Sequence, residues 1–192
     1  MPRSGSMVAS RSVPFHLLSL LGILALLSSS ALANPEPDIP VRCRFDKDGT
    51  CTITVEIDPR CFTADPMRER YRMKADLDFD SAADLQKWKD QAADAIARWL
   101  QFLSEPAAPL KPVFTLAFTG LDQAALVKPD DPLVVTATWK FQRPPEMRSL
   151  KVHADKEARF SIVVRHSFGG VEQKRFTTLF PGETSFAMDV GK

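Results

Sequence analysis

Apolar and polar residues alternate with a period of two along the C-terminal half of the chain. This spacing puts apolar side chains on one face of an extended strand and polar side chains on the other. Shorter apolar runs follow at residues 150–152, 160–164, 171–180 and 185–190, and pairs of Pro or Gly residues separate them. The two longest alternating sets are Phe114, Leu116 and Phe118, and Leu133, Val135, Ala137, Trp139 and Phe141. Short strands at this spacing predict an antiparallel β-sandwich.

A hairpin is predicted near residue 45 by the same alternation. Residues 41–45 and 51–57 carry apolar side chains at odd positions, and the sequence Asp46-Lys47-Asp48-Gly49 between them favours a turn. Cys43 and Cys51 therefore belong to the inner face of this hairpin.

The three cysteines suggest one disulfide bond. We expect a Cys43–Cys51 bridge if the hairpin register brings their Cβ atoms to about 4 Å, and we expect Cys61 to be the free thiol. The alternative is that all three cysteines are small buried hydrophobic residues.

A long helix is predicted from Ser81 onward, because apolar residues there recur every third or fourth position. Ser81 can cap the helix, with Asp84 three residues further on. Residues 99–103 either continue the helix or leave it as a strand. A shorter helix is expected from the Asp65-Pro66 pair to about Lys74.

These elements predict a mainly β (α+β) fold, an antiparallel β-sandwich with one long helix inserted after the first hairpin. We expect residues 41–192 to form a single β-rich domain and the Pro-rich residues 34–40 to form an extended tether before it.

Residues 1–33 have the organisation of a signal peptide. Arg3 and Arg11 precede an apolar run at residues 17–27, and Ala31-Leu32-Ala33 forms a small-x-small cleavage site. The run is shorter than the ~20 residues that span a bilayer. We expect cleavage after Ala33, export to the periplasm or the extracellular space, and no stable membrane insertion afterwards. Met7 is an alternative start.

Charge and motifs narrow the classes of function. The chain of 192 residues has 25 Lys and Arg residues, of which two lie in the leader, and this leaves 23 against 24 Asp and Glu residues. Such a balance gives no bulk field for nucleic acid. His153 and His166, the two histidines after the leader, are too few for a metal site made of histidines alone. Common catalytic motifs are absent, so we expect no enzyme and no cofactor, and we assign no catalytic residue.

The acidic sequence at Asp76, Asp78 and Asp80 is the best metal candidate. Its spacing suits calcium ligands, but Ser81 and Lys87 occupy the positions where a calcium loop needs Gly and Glu. The alternative is an acidic entry to the following helix.

Trp88, Trp99 and Trp139 all fall on predicted apolar stripes. We therefore interpret the three rings as core residues rather than as a ligand-binding platform.

The order of hairpin, helix and strands, closed by the sequence LFPGETS at residues 179–185, resembles the extracytoplasmic β-rich domain of HupE/UreJ-like membrane proteins. The similar segments are residues 76–103, 133–138, 159–164 and 179–186. The resemblance implies an extracytoplasmic fold that works beside a membrane protein. We expect this chain to be that β-rich domain without the membrane domain, and no functional residue is transferred from the family.

We therefore expect an exported, soluble, non-catalytic binding or accessory module with a protein or membrane-protein partner. Two other functions stay open: a cell-envelope hydrolase that uses paired carboxylates, and divalent-metal handling through the acids at residues 76–80. Converging acids in a pocket would favour the hydrolase, whereas an exposed apolar patch or a free sheet edge would favour the binding module.

Overall fold

The computed structural model describes residues 36–106 and 108–190, except for the side chain of Ala108. The predicted signal peptide at residues 1–33 and the first two residues of the tether lie outside the described residues. Within the described part, no helix is long and apolar enough to cross a membrane. The strands there are β1 (Ile39–Phe45), β2 (Thr50–Ile57), β3 (Leu100–Glu105), β4 (Ala108–Pro109), β5 (Thr115–Thr119), β6 (Val134–Gln142), β7 (Ser149–Ala154), β8 (Ile162–Phe168), β9 (Val171–Glu172), β10 (Thr177–Leu179) and β11 (Met188–Asp189). The helix α1 spans Ala82–Trp99, and 3-10 helices span Pro59–Phe62, Lys74–Asp78 and Leu121–Gln123.

The strands form two sheets in a sandwich, which confirms the predicted fold class. The large sheet has the order β10-β8-β1-β2-β6-β5, with β9 also paired to β8, and the small sheet has the order β11-β7-β3-β4. Neighbouring strands are antiparallel except for β1 and β8, which run parallel with Val41 opposite Val164. Alternation along one strand does not reveal this pair, because it does not say which distant strand becomes a neighbour.

One core lies between the two sheets and takes side chains from both. The odd-numbered residues of β1, β2 and β6 face it, as the alternation predicted, and Phe102 and Val152 of the small sheet pack against them. Trp139 is 9% exposed and stacks on Phe141 with ring centroids 4.1 Å apart. The inner face of β6 is therefore the one that the sequence predicted.

The turn of the first hairpin sets the register of β1 and β2. Gly49 has φ of +84° and donates its N–H to Asp46 O at 3.0 Å, while Asp46 N–H donates to Thr50 O at 2.8 Å. This closes a three-residue loop with glycine in the left-handed conformation. A Cβ at Gly49 would also lie 2.6 Å from the Gln142 amide nitrogen.

This register does not form the predicted Cys43–Cys51 bridge. Cys43 lies opposite Ile53, and Cys51 lies opposite Phe45, so the two cysteines are offset diagonally by two residues on the same face. Diagonal neighbours are too far apart for the Cβ separation of about 4 Å that a disulfide bond needs. All three cysteines in the described residues are free and buried.

Helix α1 begins and ends where the sequence pattern changes. The Ser81 hydroxyl accepts the N–H of Asp84, and the Asp84 carboxylate in turn accepts the N–H of Ser81, which completes the predicted capping box. The helix ends at Trp99 and the chain enters β3 at once, so residues 100–103 form a strand. Trp99 and Ile96 carry the helix into the core, where Trp99 meets Phe160 edge-on at 5.8 Å.

The predicted short helix from Asp65 to Lys74 is wrong. Residues 66–68 form a turn, and regular hydrogen bonding resumes only in the 3-10 helix Lys74–Asp78. The segment has no apolar stripe to bury, and Met67 is 46% exposed. Instead, Arg70 reaches forward to Asp76 at 2.7 Å and holds the chain in an irregular path.

Candidate functional site

The three acidic candidates do not converge. Asp76 accepts hydrogen bonds from Arg70 and from the N–H of Met73, and the Arg70 guanidinium holds the pKa of Asp76 below its usual value. Asp78 is exposed, and Asp80 is partly buried with one carboxylate oxygen that has no partner. Among the described residues, no group of three His, Cys, Asp or Glu side chains is placed to hold a metal ion.

The cysteines and histidines contact packing residues of the fold. Burial raises the pKa of the Cys43 thiol, that of Cys51 to about 11 and that of Cys61 to about 12, so all three thiols stay protonated at neutral pH. His153 Nδ1 lies 2.9 Å from the Thr184 hydroxyl. His166 packs edge-on against a phenylalanine ring, and burial lowers its pKa.

The tryptophans do not form a platform. Trp99 and Trp139 are buried in the core, and Trp88 is partly buried, with its ring 6.1 Å from that of Phe118 in an edge-on contact. The interpretation as core residues is confirmed for Trp99 and Trp139, whereas Trp88 packs against the core and is only partly buried.

A groove of about 570 Å³ lies on the outer, polar face of the large sheet. We call it the sheet groove. The strands β2, β1 and β8 form its floor, and their polar side chains on this face come from alternate positions. The lining side chains of these strands are Arg42, Arg44, Thr52, Thr54, Arg165 and Ser167. The intervening Cys43 and His166 belong to the inner face, so it is their backbone that borders the groove.

One wall of the sheet groove is the loop that contains Asp122 and Gln123. Both residues have positive φ, 56° and 61°, although neither is glycine. Such conformations persist only where surrounding contacts hold them, and they concentrate at ligand sites.

A buried carboxylate holds this loop in place. Glu56, 3% exposed, accepts the N–H of Asp122 at 3.1 Å through one oxygen and pairs with Arg42 through the other. Arg42 also pairs with the Asp122 carboxylate. Burial raises the pKa of Glu56 above its usual value, and the charge of Arg42 opposes this shift.

The opposite wall is the β8–β9 hairpin, which contributes Gly170 and Glu172. The side chain of Arg165 beside it has no hydrogen-bond, ion-pair or ring partner within the described part of the chain. Arg165 and Glu172 also line a neighbouring cavity of about 190 Å³ that reaches Phe176. Phe176 is 60% exposed and Val171 is 66% exposed, so apolar side chains flank this end of the groove.

The dimensions of the sheet groove suit one extended chain. Adjacent strands lie about 4.8 Å apart, so the floor measures about 10 Å between the axes of β2 and β8. On that floor the Thr52 hydroxyl is buried and has no hydrogen-bond partner. A ligand that lay along the strands would meet hydroxyl groups and charges of both signs.

None of the side chains that line the sheet groove is among the candidates predicted from the sequence. Arg42 and Arg44 were visible as the polar half of the β1 alternation, and Arg165 as a polar position in the β8 run. The pairing of β1 with β8 brings the arginines together, and the loop at Asp122 completes the wall. Neither feature leaves a local trace in the sequence.

No family model matches the chain, and no curated protein matches it.

Proposed function

We propose that the protein is an exported, non-catalytic binding module, and that the sheet groove holds an extended polypeptide segment of a partner protein. The observation that carries the proposal is the groove itself, with the Asp122 loop held over a three-strand floor by buried Glu56.

The lining of the groove favours a polypeptide over a purely anionic ligand. Arg42 and Arg44 already have carboxylate partners, Glu56 and Asp122 for the first and Asp46 for the second. The remaining groups, among them Arg165 and Glu172, offer one charge of each sign. A peptide backbone supplies both donors and acceptors to the floor hydroxyls, and its side chains meet charges of both signs and an apolar rim.

The leader at residues 1–33 supports export, and export would place the module outside the cytoplasm. The resemblance to the extracytoplasmic domain of HupE/UreJ-like proteins supports a membrane protein as the partner. In this proposal the module works at the outer side of a membrane and holds a segment of a membrane protein.

Site-specific photo-crosslinking in the cell envelope tests the proposal. A benzophenone amino acid replaces Ser167 in the groove, and in a matched control it replaces Gln86 on the exposed side of α1. We expect the Ser167 position to form a discrete adduct with one polypeptide, which peptide mapping traces to one contiguous segment. An adduct with glycan alone, or the same adducts from both positions, would reject the proposal.

A hydrolase of cell-envelope polymers is the second candidate, and one observation favours it. Glu56 and Asp122 converge on Arg42, and a carboxyl group with a raised pKa is what a general acid needs. However, both Glu56 oxygens already accept donors, and Glu56 is 3% exposed.

This candidate has a direct assay. Purified peptidoglycan is incubated with the protein and with the Glu56→Gln variant, and new reducing ends are counted. The binding proposal predicts no release above the blank for either protein. Release that disappears in the variant would establish the hydrolase instead.

A further inference from the structure

A separate cavity lies between the 3-10 helix Pro59–Phe62, the irregular segment at residues 69–72 and the first half of α1. It measures about 190 Å³ and shares no lining residue with the sheet groove. We call it the basic pocket, because the charged side chains that line it are Arg60, Arg70, Arg72, Lys87 and Glu69. The lining therefore holds four cations and one acid.

Two of these arginines have a carboxylate partner, but only one of them donates from both terminal nitrogens to its partner. Arg70 donates from both terminal nitrogens to Asp76, at 2.9 and 2.7 Å. Arg60 donates only its Nε to Asp58, at 2.8 Å. The terminal nitrogens of Arg60 are thus not used by its acid.

Arg60 is the unusual member of the pocket. Its side chain is 2% exposed, and one face of its guanidinium stacks on the Tyr71 ring at 3.6 Å. Its Nη1 is buried and has no hydrogen-bond partner. A buried charged donor without an acceptor is unfavourable, so an acceptor that the chain itself does not supply would stabilise this guanidinium.

The surrounding groups define the chemistry of that acceptor. The guanidinium of Arg72 lies 5.1 Å from the centre of the Trp88 ring, and this contact holds a second cation at the wall of the basic pocket. Lys87, one residue before Trp88 on α1, adds an ammonium group to the lining. Arginine forks bind oxyanions in bidentate geometry, and lysine adds a point charge. Besides Glu69 in the lining, Asp58 and Asp76 pair with Arg60 and Arg70, so four cations face three acids and the net positive charge favours an anion.

We propose that the basic pocket binds a phosphate group, either as the free ion or carried on a small molecule. The phosphate oxygens accept from Arg60, and Arg72 and Lys87 neutralise the second charge. This site is independent of the sheet groove, so the failure of one proposal does not affect the other.

Isothermal titration of the protein purified from the cell envelope tests this site, with inorganic phosphate and glycerol 3-phosphate as probes. Acetate at the same ionic strength is the control. We expect one phosphate per chain and no heat of binding with acetate. Tighter binding of the ester would identify a carried phosphate group, and tighter binding of the inorganic ion would identify free phosphate. No saturable binding of either probe would overturn the proposal.

Variants locate the site without disturbing the core. Arg72→Gln and Lys87→Gln each remove one cation from the pocket, and Arg98→Gln removes one from an exposed ion pair elsewhere on α1. We expect the first two to weaken phosphate binding at least about fivefold, because a charge-assisted contact is lost, and the third to leave it within about twofold. Equal weakening by all three would show general charge attraction and reject a pocket.

Discussion

Glu56 Oε2 lies 3.1 Å from the backbone nitrogen of Asp122, although 66 residues separate the two in the chain. The contact fixes a loop with two left-handed residues against the outer face of a sheet whose inner face builds the core. It ties the sheet groove to the fold, because the same carboxylate also pairs with Arg42 on the groove floor.

Glu56 makes the stability of the protein depend on pH. Because burial raises its pKa in the folded state, the folded protein binds the Glu56 proton more tightly than the unfolded chain does. The contribution of Glu56 is therefore complete below the unfolded pKa and is lost as pH rises through the folded pKa. A glutamine cannot titrate, so the free energy of unfolding of the unmodified protein should fall relative to that of Glu56→Gln as the pH rises above about pH 4.

Urea denaturation of both proteins across this pH range measures the difference. If the unmodified protein instead gained stability over the variant with rising pH, Arg42 would outweigh burial, and the assigned direction of the shift would be wrong.

Trp139 should contribute strongly to stability. It is nearly buried and stacks on Phe141, so Trp139→Ala should lower the free energy of unfolding by about 3–5 kcal/mol. The neighbouring Lys140 is exposed on the other face of β6, so Lys140→Ala should change it by less than about 0.5 kcal/mol. Chemical denaturation of both variants checks this, and an unchanged midpoint for Trp139→Ala would contradict the inner face of β6.

The thiols provide a test of the hairpin register. Since all three are buried and protonated, native protein should react slowly with iodoacetamide, and unfolded protein should bind three alkyl groups without prior reduction. Mass spectrometry of alkylated protein counts them. A Cys43–Cys51 peptide in a non-reducing digest would instead show that oxidation shifts the hairpin by two residues.

The prediction of export depends on the leader at residues 1–33, and cleavage of this leader can be measured. The sequence Ala31-Leu32-Ala33 predicts that exported protein begins at Asn34. Intact-mass measurement of the envelope fraction reads the first residue directly. A mass that retains residues 17–27 would place the protein on the membrane through its leader and would contradict release.

The sequence predicted those parts of the fold that depend on local spacing. Ser81 and Asp84 marked the start of α1, and the odd positions around Val135 and Trp139 marked the buried face of β6, because caps and strand alternation leave a trace within a few residues. The prediction of a short helix after Asp65 was wrong for a related reason, because the segment has a capping residue but no apolar stripe to bury.

The candidate site depends on contacts that no local pattern encodes. The parallel pairing of β1 with β8 brings Arg42 and Arg165, 123 positions apart in the sequence, to one groove. The Cys43–Cys51 bridge was predicted from the correct face but the wrong register, since one glycine in a left-handed turn determines which residues lie opposite each other.

The most direct test of the binding proposal is the effect of Arg165→Glu on the photo-crosslink formed from Ser167. Arg165 is exposed and has no partner in the described residues, so the substitution should leave the free energy of unfolding unchanged within about 0.5 kcal/mol. It places a negative charge where the partner segment is held. We expect the adduct yield to fall about tenfold, as for a lost interfacial charge contact, while the control Arg98→Glu on α1 retains it. An undiminished adduct from the Arg165→Glu protein would contradict the sheet groove as the binding site.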